Sequence, residues 1–209
     1  LFISIHQDGR TLYPGTGFPD ELGGINAAGR TLNIPLPPHT SEEGFLAAVN
    51  NIVMPILKDF KPDLISNSAG QDNHYSDPIT NMNFSAQGYA DLTAILAPDI
   101  AVLEGGYSIE GALPYVNVGI ILAMAGVDYN KVKEPNYNAE SIRQTQSVTE
   151  AIEKIGDMTL TIWQQRDNIK DELMEKPAPH HRTRSLYYDT DGIQESQSEE
   201  IQICPDCAG

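Results

Sequence analysis

Pro62-Asp-Leu-Ile-Ser66 runs into Ala69-Gly-Gln-Asp72, and further on Asp99-Ile-Ala-Val-Leu103 runs into Glu104-Gly-Gly-Tyr107. Each reads as a short buried strand, aliphatic and closed by a glycine turn. The residues from Ser85 to Leu96 between them read as a helix. Strand, helix, strand is the pattern of a parallel sheet flanked by helices. In such sheets ligands sit beyond the carboxyl ends of the strands. Asp72 and the Glu104–Tyr107 turn are therefore expected to line one mouth.

The rest of the chain extends this α/β pattern. Leu1-Phe-Ile-Ser-Ile5 and Thr31–Leu36 read as further strands. Between them Gly9, Pro14, Gly15, Gly17, Pro19, Gly23, Gly24 and Gly29 mark a long ordered loop, a segment type that usually carries function. Thr40-Ser-Glu-Glu43 is a capping box, expected to open one helix with Phe45, Val49, Ile52, Val53, Ile56 and Phe60 on its apolar face. Leu113, Val116, Ile120, Ile121 and Met124 define another helix. From Asn138 to Lys176 the chain is polar with Ile142, Ile152, Ile155 and Trp163 at helical spacing, a run that Pro177-Ala-Pro179 ends. Beyond it, Arg184–Tyr188 and Ile201–Cys204 read as two small strands around an acidic, Gln/Ser-rich link. The expected division is 1–137, 138–176 as a helical extension, and 177–209 as a tail.

The 209 residues are 40% hydrophobic and 20% charged, a composition that folds around a core. Thirteen Lys and Arg against 29 Asp and Glu leave a net charge of −16, which disfavours general nucleic-acid binding and docking on anionic membranes. The same charge could attract a cationic ligand, or serve solubility alone. No apolar run is long enough to span a bilayer and no start resembles a signal peptide. With only Cys204 and Cys207, the main body holds no disulfide, and the cytoplasm is the expected compartment. The chain opens on a strand without Met and stops shortly after its second Cys, so a piece of a longer protein is expected. A homo-oligomer stays open.

Five blocks occur in order: Ser4-Ile-His-Gln-Asp8, Tyr13-Pro-Gly-Thr-Gly17, Asn33-Ile-Pro-Leu-Pro-Pro38, Ser68-Ala-Gly-Gln-Asp72 with Asp77-Pro78, and Leu103-Glu-Gly-Gly-Tyr107. Together they resemble the zinc-dependent histone deacetylase family, with its acetoin-utilisation and acetylpolyamine relatives, over roughly residues 1–126. The resemblance implies an arginase-like α/β fold, here the C-terminal half of a catalytic domain, and hydrolysis of an N-acetyl amide. Acetyl-lysine in a protein is the implied substrate, with a small N-acetyl amine as the alternative. A non-catalytic binding or assembly protein on the same fold is the competing reading.

By this resemblance Asp72 is a catalytic zinc ligand. The family's Asp-x-His motif and its His-His pair belong ahead of the Ser4–His6 strand, and these 209 residues do not contain them. The chain alone is therefore expected to be inactive. Taken without the resemblance, Asp72 reads more readily as a residue that caps the next turn. Asp72-Asn-His74 mimics the absent motif, but a pair at the end of one strand cannot replace ligands delivered from another, so His74 is expected to have a structural role. Tyr107 matches the catalytic tyrosine, with Gly105 and Gly106 making room beside the substrate. Tyr13 matches an aromatic wall of the acyl-lysine tunnel, and Ile79 an apolar rim position where polyamine-selective relatives can carry an acid. Ser4 and Ile5 match residues beside a structural monovalent cation, potassium being the expected ion. Cys204 and Cys207 form half of a zinc-ribbon pattern for a second, structural zinc, or a pair of surface thiols.

Overall fold

A computed structural model describes residues 1–175, 180–188 and 193–201. In chain order the elements are β1 (Phe2–Gln7), β2 (Thr31–Leu36), α1 (Glu42–Ala48), a π-helical turn (Val49–Val53), α2 (Met54–Phe60), β3 (Ser66–Ala69), α3 (Ala86–Leu96), β4 (Ile100–Leu103), α4 (Leu113–Met124), α5 (Gln146–Glu175), β5 (His180–Tyr188) and β6 (Ile193–Ile201). They form two compact units, Leu1–Leu36 with Lys154–Gly209, and Pro37–Glu153.

In the first unit β1 and β2 pair in parallel, from Phe2 opposite Thr31 to Gln7 opposite Leu36. Leu32, Ile34 and Leu36 are buried, as are Ala28 and Trp163. Gly29 adopts φ +75°, and a Cβ there would lie 2.9 Å from Arg166 Cα, so only glycine admits this approach to α5. The Asp8–Arg30 loop is held from β2: Asn33 Nδ2 donates to the carbonyls of Phe18 and Glu21. β5 and β6 form an antiparallel hairpin, His180 opposite Ile201.

In the second unit β3 and β4 pair in parallel, Ser66 opposite Ile100 through Ala69 opposite Leu103. The crossover between them is α3, capped by Ser85, whose hydroxyl accepts from the Gly88 N–H at 3.0 Å. Helices α3 and α4 pack together, and Gly119 allows it, since a Cβ there would lie 3.2 Å from both Ala86 O and Ala90 Cβ. The core is centred on Phe84, fully buried, stacked on Phe45 at 4.6 Å and edge-on to Tyr89 at 4.7 Å.

Several expectations are corrected. The first strand of the decisive pair is Ser66–Ala69, not Pro62–Ser66. β4 is where the sequence puts it, but Ile100, Val102 and Leu103 are 47–55% exposed rather than buried. The capping box does not form: Ser41 is the N-cap without a side-chain bond to the helix, its hydroxyl donating to Gln144 Oε1 instead. The helix it opens is not continuous. Pro55 lacks the N–H that an unbroken α-ladder needs, and the chain takes the π turn just before it. The acidic link expected before Ile201 is itself β6, a polar strand without the apolar alternation that marks strands in sequence. Cys204 and Cys207, with the zinc-ribbon expectation that rests on them, lie outside the described residues. Among the described residues no helix is long and apolar enough to cross a membrane.

Candidate active site

The parallel register of β3 and β4 brings the two loops beyond their carboxyl ends side by side. Gln71 N–H donates to the Gly105 carbonyl, joining the loops by main chain. The Gln71 side chain, 2% exposed, donates from Nε2 to Asn117 Oδ1 at 2.6 Å and so anchors the Asp72 loop to α4. Gly106 faces this anchor closely: a Cβ would stand 2.8 Å from both Gln71 Cβ and Leu113 Cδ2. Ala is too large there.

Asp77 ties the loops a second time. Its carboxylate is 7% exposed and accepts from Ile79 N–H at 2.9 Å through Oδ1 and from Tyr107 N–H at 2.7 Å through Oδ2. The first bond is an Asx turn, which the Asp77-Pro78 dipeptide signals in sequence. The second spans 30 residues, and no spacing rule could have found it. Asn at this position keeps one acceptor oxygen and loses the charge. Asp77→Asn is therefore expected to cost about 1.5–3 kcal/mol, the scale of a hydrogen bond to a charged group, read as a lowered urea midpoint at unchanged slope. A midpoint like wild type would remove Asp77 from this role.

Asp72 is half-buried, and Thr80 Oγ1 donates to its carbonyl. Burial, and then the charge of Asp77, raise its carboxyl pKa above the usual range despite a bond from its own main-chain N–H. Tyr107 is 54% exposed, its ring folded back over Gly105, where a Cβ would lie 3.1 Å from the phenol oxygen. Ile79 is 51% exposed beside this turn. The second unit thus gathers Asp72, Ile79, Gly105, Gly106 and Tyr107 on two bonded loops. His74 is not paired with Asp72 as in an Asp-x-His ligand set: it is fully buried, with Ser76 on one ring nitrogen and Glu134 on the other.

In the first unit Ser4 and Tyr13 line an open cavity of about 510 Å³, with Phe2, His6, Leu12 and Thr31. Tyr13 is 67% exposed. The Ser4 hydroxyl donates to His6 Nδ1 at 2.8 Å while His6 Nε2 donates to the Gly17 carbonyl at 3.0 Å, an assignment that leaves the ring neutral. Burial lowers the His6 pKa. Ile5 pairs with Ile34 in the sheet.

A carboxylate oxygen held in a partly desolvated place, beside a second acid, suits a divalent cation, and Asp72 fits zinc as one ligand. Among the described residues no three His, Cys, Asp or Glu side chains gather as a ligand set. Asp72 accordingly fits as a contributor to a site, not as a complete one.

The sequence pattern of the histone deacetylase domain matches residues 1–118. The chain therefore belongs to the histone deacetylase family, in the zinc-dependent deacetylase/arginase superfamily. It is 51% identical over 150 residues to a protein of Archaeoglobus fulgidus named "Probable deacetylase", covering 67% of this chain and 41% of that one. It is 36% identical over 135 residues to the acetoin utilization protein AcuC of Bacillus subtilis, covering 60% of this chain and 35% of that one. Among solved structures, the HDA15 HD domain has a TM-score of 0.65 at 23% identity, over 84% of this chain and 48% of that one. The acetylpolyamine aminohydrolase of Burkholderia pseudomallei has a TM-score of 0.52 at 30% identity, over 60% of this chain and 36% of that one. The chain thus spans less than half the length of these relatives. The fold is the α/β deacetylase-like one, with parallel strands and flanking helices.

Proposed function

We propose that this chain carries part of the catalytic centre of a zinc-dependent hydrolase that cleaves N-acetyl amides, with acetyl-lysine of a protein as substrate. One observation carries the reading: two parallel strands end in loops bonded to each other, one bearing the half-buried Asp72 and the other Tyr107. In this reading Asp72 is one of three protein ligands to zinc. Zinc, when bound, supplies polarisation of the amide carbonyl and a lowered pKa for water. The Tyr107 hydroxyl donates to the amide oxygen as negative charge builds there, and Gly105 and Gly106 leave the space beside it. Ile79 lies at the rim beside the aliphatic stem. Ser4 and Ile5 belong beside a structural monovalent cation. The remaining zinc ligands and the histidines that handle water are assigned to sequence outside these 209 residues.

Ligand count sets the test. The complete protein is expected to lose hydrolysis of an acetyl-lysine peptide on chelation and regain it with zinc. This chain alone, with Cys204→Ser and Cys207→Ser, is expected to bind zinc substoichiometrically. Hydrolysis that survives complete removal of metal would overturn the reading. The similarity to an acetylpolyamine aminohydrolase favours a small N-acetyl amine as a second substrate class. The exposed, apolar Ile79 at the rim favours acyl-lysine. The same assay with an acetylated polyamine separates them.

A further inference from the structure

Behind the Asp72 loop lies a chain of polar groups that the proposed function does not use. Glu134 is 3% exposed, and its Oε1 lies 3.2 Å from Nε2 of the fully buried His74. On the other side of the ring, Nδ1 meets both the Ser76 main-chain N–H at 3.2 Å and the Ser76 hydroxyl at 2.9 Å. A main-chain amide can only donate, so Nδ1 is an acceptor and the ring proton sits on Nε2, facing Glu134. The Ser76 hydroxyl lies 2.8 Å from that of Ser108, the residue after Tyr107. Gly111 closes over the pair: a Cβ there would lie 2.9 Å from Ser108 Oγ and 3.3 Å from Ser76 Oγ.

A serine, a histidine and a glutamate in line have the composition of a nucleophilic triad. The geometry argues otherwise, because Nδ1 shares its one lone pair between the Ser76 main-chain N–H and the Ser76 hydroxyl, a pattern that holds the loop rather than frees a proton acceptor. What the geometry does provide is direction. Ser108 donates to Ser76, Ser76 to His74, and His74 to Glu134, so each bond polarises the next. The chain ends on a carboxylate held ionised: burial opposes the Glu134 charge, but the His74 bond and main-chain N–H groups, Ala86 among them, outweigh it and lower its pKa. The neighbouring Tyr75 phenol is pushed up to about 12, by burial and then by the Glu134 charge, and so stays neutral.

We infer that Glu134, His74, Ser76 and Ser108 form a positioning relay that fixes the Tyr107 turn against the Asp72 loop. Its catalytic consequence rests on the roles proposed for Tyr107 and Asp72; the relay itself does not. The test is amide hydrogen exchange across residues 105–109 in the full chain, alongside kcat and KM for acetyl-lysine hydrolysis in the complete protein. Ser76→Ala and Ser108→Ala remove the accessible end of the chain without opening the core. Each is expected to speed exchange of this segment about five- to tenfold, the scale of one lost hydrogen bond, and the double variant no further. Glu134→Ala should act alike. Glu134→Gln, whose amide oxygen still accepts from Nε2, should restore slow exchange. Turnover should fall in step with exchange, as lower kcat at unchanged KM. Unchanged exchange in both serine variants, additive effects in the double variant, or a rise in KM alone would overturn the relay. Absence of hydrolysis in the wild-type protein would count against the proposed function, and exchange would then decide the relay alone.

Discussion

Asp72→Asn in the complete protein is expected to empty the metal site and to lower acetyl-lysine hydrolysis by at least about a hundredfold. That is the upper range for losing even an outer partner of a metal ligand. Asparagine keeps the size of the side chain and an oxygen able to cap a turn, so a purely structural Asp72 would tolerate it. What it removes is the negative charge. In the metal-free protein this is a relief, because burial and the Asp77 charge both work against an ionised Asp72. The metal-free variant should therefore unfold at no lower a temperature than metal-free wild type. Zinc content, activity and melting temperature measured together decide the matter. Retained zinc with retained hydrolysis would return Asp72 to a structural role.

Tyr107→Phe is expected to leave zinc content and fold unchanged and to lower kcat about 10²- to 10³-fold, the scale seen on deleting one donor to a developing oxyanion. The ring is half exposed, so losing its hydroxyl strands no buried partner. The bond that fixes the turn, from Tyr107 N–H to Asp77, is main chain and survives the change. In the proposed role the phenol acts where charge develops, so KM should hardly move. A kcat within twofold of wild type would contradict the assignment.

The elements around the site were legible in the sequence because their signals are local. Ser85 caps its helix within three residues, and Leu113–Met124 is mostly apolar, Asn117 apart. The same locality explains the failures. A π turn is decided by the missing N–H of Pro55, which a periodicity count does not register. The strand Ile193–Ile201 has no apolar face to announce it. At the site, the ordered blocks pointed to Asp72 and Tyr107, but not to what holds them. Asp77 reaches Tyr107 across 30 residues and Glu134 reaches His74 across 60, and such pairings exist only once the chain has folded. His74 is the clearest case. A structural role is expected for it despite its spacing from Asp72, but nothing in the sequence names Ser76 and Glu134 as the partners of its ring nitrogens.

The Asp77 bridge has an evolutionary reading. Both of its partners are main-chain N–H groups, so it takes no account of which side chains stand at positions 79 and 107. Ile79, the residue proposed for the rim, is 51% exposed. Its side chain can be exchanged for an acidic, aromatic or small one while the two loops keep their spacing. The scaffold thereby separates what is recognised from what is held. New specificities can be sampled at the rim by single substitutions, each paid for at the surface rather than in the architecture of the mouth.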